Sequence, residues 1–198
     1  MKEINVNADL SHKTIVLIYM LYFGDMVSIT PFLEVLRRAA VGSRIILVMD
    51  GKFQDAVRYN PNVDVIVPFD RHGKEKGLMA TWKLGRKLAS YDPDILLTLH
   101  GTTRSTILAL AMHPKHWGGE AGTRIDSFFM DWPMTIETYN SHAVDKYLKV
   151  LERLGVEDLH HSGMRTYTCE AWEKRADDFF HARSEERRVG KECRSRWS

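Results

Sequence analysis

An aspartate stands directly after a glycine where the first long apolar segment of the sequence ends. Gly24 and Asp25 follow residues 14–21, a run rich in β-branched side chains, and a stretch with helical character continues to about residue 40. A carboxylate at the end of a buried strand can act as a general base, and a glycine beside it lets a ligand approach closely. Aspartate is also favoured in the first turn of helices, so capping is the alternative role for Asp25.

A second group of polar side chains follows a later apolar segment, residues 95–99. His100, Thr102, Thr103 and Arg104 supply an imidazole ring, two hydroxyls and a guanidinium beside the start of a predicted helix. This combination favours an anionic or polyhydroxyl ligand, because a helix N-terminus and an arginine both attract negative charge. The structural alternative is a threonine that caps the helix beside an ordinary surface arginine.

Several familiar site motifs are absent from the sequence. It has neither GxGxxG nor GxxxxGK[ST], which argues against a dinucleotide-binding fingerprint and a P-loop, and it has no Gly-x-Ser-x-Gly elbow. His113 and His116 are separated by Pro114, which breaks the helix that would aim both imidazoles at one ion. No cysteine or carboxylate cluster completes a zinc site, so no metal is expected.

The elements that must position these residues alternate between strands and helices. Apolar runs predict strands at residues 14–21, 44–49, 63–69 and 95–99, with helices at about 25–40, 53–59, 78–91, 103–112, 142–154 and 170–182. Residues 114–137 are predicted to be irregular. The alternation indicates a parallel sheet with helices on both faces, whose strand-to-helix loops share one edge. Ligands bind at that edge, so both polar groups are placed there.

Two helices carry more detailed expectations. Thr30 could cap a helix that has Pro31 at its first position, or a longer helix could kink at Pro31. In the helix over 78–91, we expect Leu78, Trp82 and Leu88 on the buried side.

The charge of the chain is concentrated at its end. The 198 residues have a net charge of +2, but residues 183–198 hold five Arg, one Lys and three Glu, so the remainder is close to neutral. This distribution argues against nucleic-acid binding. Two cysteines cannot build a disulfide framework, which favours a reducing compartment. The longest apolar run is too short to cross a membrane.

The domain organisation follows from the same patterns. Residues 1–13 are predicted to be a flexible start, 14–168 a single domain, and 169–182 a helix that leads towards a further domain. Residues 183–198 look like translated vector or adapter sequence and are set aside as a non-native tail.

Three segments together resemble the amino-terminal half of glycosyltransferase family 9, the lipopolysaccharide heptosyltransferase family. The first, residues 24–38, contains Gly-Asp, then Thr-Pro, then Leu-x-x-Leu. The second, residues 91–105, contains a strand, then His-Gly, then Arg-Ser. The third, residues 142–155, is a helix that opens with His-Ala-Val. Their order and spacing extend the resemblance over roughly residues 14–160.

The resemblance implies a GT-B architecture, in which two Rossmann-like domains face a cleft and the amino-terminal one binds the acceptor. The donor would be a nucleotide-sugar such as ADP-heptose, and transfer would invert the anomeric centre without a metal ion or other cofactor. Asp25 matches the proposed general base. A free aspartate has a pKa of about 3.9, so this role would need partial burial or close alignment. The other residues expected to contact substrate are Gly24, Thr30, His100, Thr102, Thr103 and Arg104.

The resemblance also bears on partners and location. It implies a lipid-linked glycan acceptor of the lipopolysaccharide core and a cytoplasmic enzyme working at the inner face of the inner membrane. A peripheral membrane contact fits that setting, although no cationic amphipathic helix is evident in the sequence. A GT-B enzyme needs a second domain that this chain does not carry, so the fragment alone is expected to be inactive. The alternatives are an enzyme that uses another nucleotide-sugar and a flavodoxin-like binding module for an anionic or polyhydroxyl ligand.

Overall fold

A computed structural model describes residues 6–71, 73, 75–134 and 142–195, with side chains described as far as Arg183. The chain forms two compact units, Met1–Thr166 and Tyr167–Ser198. In the described part, the first contains the sheet, six α-helices and a short 3-10 helix. The second contains one long helix.

Among the residues that the structure describes, the sheet has six parallel strands. In chain order they are β1 (Thr14–Ile18), β2 (Arg44–Asp50), β3 (Val65–Phe69), β4 (Ile95–Thr98), β5 (His116–Glu120) and β6 (Trp132–Met134). Their spatial order is β3-β2-β1-β4-β5-β6. The chain order therefore reverses between β1 and β4, which opens a crevice outside the carboxyl ends of these two strands. The predicted parallel sheet is confirmed.

In the described part of the chain, seven α-helices connect or follow the strands. They are α1 (Phe23–Ser28), α2 (Thr30–Ala39), α3 (Leu78–Ala89), α4 (Thr103–Met112), α5 (Arg124–Phe129), α6 (Ala143–Arg153) and α7 (Glu170–Ser195), with a 3-10 helix at Gly51–Ala56.

The structure matches neither alternative for Pro31, the helix capped by Thr30 or the longer helix with a kink. A separate helix, α1, ends before Ile29, and Pro31 lies in the first turn of α2. The helix α7 continues through most of residues 183–198, and the foreign origin of that segment stays a prediction.

Strand residues alternate between two apolar layers. Ile15 and Leu17 of β1 face α1, α2 and α6, whereas Val16 and Ile18 face α3 and α4. All four are buried. Helices on both faces leave no strand face for water, which explains why the strands read as continuous apolar runs rather than alternating ones.

The prediction that residues 114–137 are irregular is wrong for residues 114–134, because they contain β5, α5 and β6, and residues 135–137 lie outside the described residues. The sequence pattern of β5 does not indicate a strand, because it contains two glycines and glycine is uncommon in strands. Both are needed for packing. A Cβ on Gly118 would lie 2.9 Å from Cε3 of Trp132, and a Cβ on Gly119 would lie 2.1 Å from the carbonyl oxygen of Thr98.

The expected orientation of α3 is also wrong. Leu88 is buried, but Leu78 and Trp82 are exposed by 62% and 43%. The cause is Gly85, because a Cβ there would lie only 2.5 Å from Cβ of Ala111. The backbones of α3 and α4 meet at this glycine, which turns the Gly85 side of α3 inward and the Leu78 side outward.

The outermost strands and the start of the chain have their own features. Pro68 lies in β3 and Pro133 in β6, the two edge positions where a strand can accommodate a missing N–H. Residues 6–13, predicted to be a flexible start, make hydrogen bonds to the end of α6. The N–H of Val6 donates to the carbonyl of Arg153 at 2.7 Å, and Leu10 is buried.

Candidate functional site

The candidate site lies at the crevice between the ends of β1 and β4. Alternate residues at the end of β1 point to opposite faces of the sheet, so the site has two sides. Tyr19 is buried on the side of α1 and α6, and Ile18 and Met20 are buried on the side of α3 and α4. We call the first the acidic side and the second the basic pocket, after the residues described below.

Asp25 lies on the acidic side, at the third position of α1. Its Oδ2 accepts a hydrogen bond of 3.1 Å from the N–H of Tyr22. Asp25 therefore caps the helix, which is one of the two roles expected for it. The side chain is nevertheless only half-buried. The capping hydrogen bond uses Oδ2, so Oδ1 can accept a hydrogen bond from a ligand in the crevice. A Cβ on the neighbouring Gly24 would meet no atom within 4 Å, so the space over this glycine is open.

Two tyrosines form the floor of the acidic side. The hydroxyl oxygens of Tyr19 and Tyr147 lie 2.5 Å apart, and the rings pack edge to face with centroids 5.4 Å apart. Burial raises the pKa of both phenols, and the charges of Asp25 and Glu120 raise each pKa further. The phenols therefore stay neutral at physiological pH. Glu120 is in register with Met134 of β6, and Met134 belongs to the same buried layer as Tyr19, so Glu120 lies on the acidic side.

Glu120 links the acidic side to the loop after β4. Its Oε2 lies 3.8 Å from Nδ1 of His100, and both side chains are partly exposed. The loops that carry them touch backbone to backbone. A Cβ on Gly101 would lie 2.1 Å from the amide nitrogen of Gly122. The sequence analysis missed Glu120 because it ends a strand that was taken as irregular.

The basic pocket opens on the opposite side and has a volume of about 350 Å³. It is lined by Ile18, Met20, Leu21, Arg71, Leu78, His100, Thr102, Thr103 and Arg104. The structure thus brings four of the predicted binding residues together. His100 lines this pocket and approaches Glu120, so it connects the two sides.

Two arginines line the pocket, and one of them is paired with a carboxylate. Nε of Arg71 is held 2.7 Å from Oδ2 of the buried Asp50. The guanidinium carbon of Arg104 lies 5.8 Å from the ring centroid of Phe69, within cation–π range. Sequence reasoning missed Arg71, although it follows β3 at the same sheet edge and that position was the available signal. A pair of guanidinium groups beside a helix N-terminus is suited to a carboxylate or phosphate.

The threonines have different roles. Thr102 is the N-cap of α4, since its Oγ1 accepts a 3.2 Å hydrogen bond from the N–H of Ser105. Thr103 is exposed at the pocket mouth. Thr30 is buried, its hydroxyl donates to the carbonyl of Val27, and it accepts from the N–H of Arg165. These two hydrogen bonds engage the Thr30 hydroxyl within the fold, and its contact with substrate stays a prediction.

Comparison with known proteins identifies the family. The family model described as glycosyltransferase family 9 (heptosyltransferase) matches residues 81–190, more than half of the chain. The chain belongs to glycosyltransferase family 9. The family 9 match contains the second and third of the resembling segments. It does not extend to the first, so the role of Asp25 rests on its position and on the resemblance. No curated protein sequence matches the chain.

Solved structures place this family 9 chain in the expected fold. A family 9 glycosyl transferase from Veillonella parvula is 33% identical, with a TM-score of 0.85 over 89% of this chain and 51% of its own. The E. coli ADP-heptose lps heptosyltransferase II is 15% identical, with a TM-score of 0.67 over 84% of this chain and 50% of its own. E. coli heptosyltransferase WaaC with ADP is 16% identical and has a TM-score of 0.58 over 77% and 50%. The chain therefore spans about half the length of these structures.

The described residues contain neither a membrane-spanning helix nor a cluster of metal ligands. No helix in the described part of the chain is long and apolar enough to cross a membrane. Among the same residues, no three His, Cys, Asp or Glu side chains are close enough together to hold a metal ion.

Proposed function

We propose that this domain is the acceptor-side half of an inverting glycosyltransferase with a GT-B architecture. The full-length protein would transfer a sugar from a nucleotide-sugar, such as ADP-heptose, to a glycan of the lipopolysaccharide core or a similar acceptor. The observation that carries the proposal is Asp25, a half-buried carboxylate that follows the open Gly24 at the crevice of a family 9 chain. The donor-binding groups would belong to the other half.

The chemistry assigned to Asp25 is proton removal. A free carboxylate oxygen of Asp25 takes the proton from an acceptor hydroxyl as that oxygen attacks the anomeric carbon. The new carbon–oxygen bond forms on the face opposite the nucleotide. The nucleoside diphosphate leaves with the electron pair of the old bond, so the configuration inverts. The proton on Asp25 then passes to solvent, and no metal ion is assigned to the reaction.

The basic pocket would hold the acceptor through a negatively charged group. Arg71 and Arg104 supply two guanidinium groups, and His100 stands between them and the acidic side. An acceptor carboxylate or phosphate in the pocket would place the rest of the sugar across the crevice towards Asp25. Positioning of this kind lowers the barrier because the reacting hydroxyl no longer has to be found by diffusion.

The role of Asp25 is tested in a full-length protein that carries this domain. We expect Asp25→Asn to lower kcat by about 10²- to 10⁴-fold, with little change in KM for the acceptor. The matched control is Asp145→Asn, because Asp145 also lies in the first turn of its helix, α6. A loss of activity equal in the two variants would mean that helix capping, not proton transfer, explains the effect.

The basic pocket is tested on this chain alone, by titration with a sugar carboxylate, glucuronate, and a sugar phosphate, glucose 6-phosphate. Each hydrogen bond to a charged group contributes about 1.5–3 kcal/mol, so Arg104→Ala should weaken binding at least ~10-fold. Arg71 is left in place because it is the ion-pair partner of the buried Asp50. Arg58→Ala, which removes an arginine paired with Asp55, serves as the control. Equal binding of neutral glucose would instead support a module for polyhydroxyl ligands.

Location and donor are parts of the same proposal. A cytoplasmic enzyme acting on a lipid-linked acceptor at the inner face of the inner membrane fits the family and the exposed pocket. The nucleotide is decided by assaying ADP-, UDP- and GDP-sugars with the full-length protein. Transfer from a UDP- or GDP-sugar alone would replace ADP-heptose by another donor and leave the acceptor side unchanged.

A further inference from the structure

The outward face of α3 is unusually apolar for a surface. Leu78, Met79 and Trp82 are exposed by 62%, 69% and 43%, and all three lie within the first two turns of the helix. Single exposed apolar side chains are ordinary on protein surfaces. Three of them on one helix face form a patch, and such patches mark contact with another molecule.

Basic side chains surround this patch. Lys83, Arg86 and Lys87 are exposed on the same outward half of α3, and Lys76 is exposed just before it. The helix itself contains no acidic residue. The nearest acidic side chain before it, Glu75, accepts a hydrogen bond from the N–H of Asp70.

A groove beside α3 combines the same two properties. It lies between the helix and the edge strand β3, with a volume of about 670 Å³. Lys76, Lys83 and Lys87 lie along it with Met79, and Val65 and Pro68 of β3 supply apolar lining. Apolar surface fringed by lysines is typical of segments that lie in a membrane interface, where the amines meet lipid phosphates.

The patch is continuous with the candidate site. Leu78 belongs both to the apolar face of α3 and to the lining of the basic pocket. Tyr22 and Phe23, which precede Asp25, are also exposed at this edge of the sheet. Any molecule that binds the outward face of α3 would therefore lie next to the mouth of the pocket.

We propose that the outward face of α3 docks on an anionic phospholipid surface, with Met79 and Trp82 entering the interface and Lys83 and Lys87 contacting lipid phosphates. The inference rests on the proposed function in one respect, namely that the acceptor is linked to a lipid. Docking through α3 would let such an acceptor reach the basic pocket while its lipid stays in the bilayer. Charge complementarity favours an anionic membrane over a protein partner, because the basic groups form a continuous fringe.

The charge component is tested by sedimentation of the 198-residue chain with vesicles of phosphatidylcholine containing 30% phosphatidylglycerol (a chosen composition, about a third anionic lipid). A basic side chain near such a surface strengthens binding ~5-fold, so Lys83→Gln with Lys87→Gln should weaken it ~30-fold. The matched control is Lys146→Gln with Lys149→Gln on α6. Both variants keep the basic end of the chain, so their difference measures α3 alone.

The apolar component is tested with Met79→Ser combined with Trp82→Ser, compared with Phe128→Ser combined with Phe129→Ser. The second pair removes the exposed rings of α5. We expect only the α3 pair to lose vesicle binding, and a blue shift of Trp82 fluorescence on addition of vesicles that Trp82→Phe abolishes. Circular dichroism checks that each variant is folded.

Three results would overturn the proposal. They are equal losses in the α3 and α6 charge variants, loss in the α5 pair instead of the α3 pair, and equal binding to vesicles of pure phosphatidylcholine. No donor or acceptor is present in these measurements. Failure here therefore leaves glucuronate binding at the basic pocket intact, whereas failure of the proposed function would leave vesicle binding intact.

Discussion

The buried pair of phenols beneath Asp25 can be measured by a double-mutant cycle. Tyr19→Phe and Tyr147→Phe each remove one hydroxyl and keep the edge-to-face packing of the rings. Tyr19 is fully buried, so Tyr147→Phe leaves a hydroxyl without a partner and should cost ~2 kcal/mol. Tyr147 is slightly exposed near the crevice, where its freed hydroxyl can reach water, so Tyr19→Phe should cost ~1 kcal/mol.

The double variant removes both hydroxyls and leaves none unpaired. We expect a total cost of ~1.5 kcal/mol, and therefore a coupling free energy of about 1.5 kcal/mol. The assay is urea denaturation at pH 7, followed by near-ultraviolet circular dichroism. Independent sites add to within ~0.3–0.5 kcal/mol, so a sum of the single costs that equals the double cost would show that the hydroxyls do not interact.

The same pair makes a prediction about alkaline pH. Burial raises the pKa of both Tyr19 and Tyr147 above the value of about 10 of an unfolded tyrosine. Their contribution to stability is therefore complete below pH ~10 and is lost as the pH rises further, because only the unfolded chain releases the protons. The free energy of unfolding should fall by up to ~1.4 kcal/mol per pH unit for each phenol. The double phenylalanine variant should show a shallower fall, and an unchanged slope would contradict this account.

Two further predictions concern packing and acid stability. Gly119→Ala should destabilise the fold by ~3–5 kcal/mol, because φ is +118° there and the new Cβ would strike the carbonyl of Thr98. Gly24→Ala, where the Cβ meets open space, should change stability by less than ~0.5 kcal/mol, and similar melting temperatures for the two would refute the packing argument. The hydrogen bond from Lys115 is the main cause that lowers the pKa of Asp94. The charged carboxylate therefore stabilises the fold above pH ~4, and this contribution is lost as the pH falls. Lys115→Ala should move the acid unfolding midpoint to higher pH, which a pH titration of circular dichroism would check.

The sequence was a good guide to the strands with apolar runs and a poor guide to the second half of the sheet. Burial on both faces produces continuous apolar runs such as residues 44–49. These runs are recognised in the sequence without knowing which strands and helices pack against them. The strand β5 has no such run, because two of its residues are glycines. Gly118 and Gly119 are required by close contacts with Trp132 and Thr98, and these contacts exist only in the folded chain. The orientation of α3 was missed for the same reason, since Gly85 is identified as a contact point only when α4 is in place.

The candidate site was predictable where position in a parallel sheet decides it. Gly24, Asp25 and the loop from His100 to Arg104 lie at the expected edge because every strand ends there. Residues that arrive from other elements were not predictable. Glu120 comes from an unrecognised strand, and Tyr147 reaches Tyr19 from α6, 128 positions along the chain. The hydrogen bonds of Thr30 to Val27 and Arg165 were not predictable either, because Arg165 reaches it from a segment 135 positions along the chain.

The prolines of the outermost strands bear on how this chain behaves at high concentration. A strand exposed at the edge of a sheet invites pairing with the same strand of another copy, which is a route to fibrils and amorphous aggregates. Pro68 and Pro133 each remove a donor from that edge, so a second copy cannot extend the ladder without a gap. Self-association during expression should therefore proceed through side-chain surfaces and be reversible by mild detergent. Growth of cross-β fibrils that bind thioflavin T would not be expected.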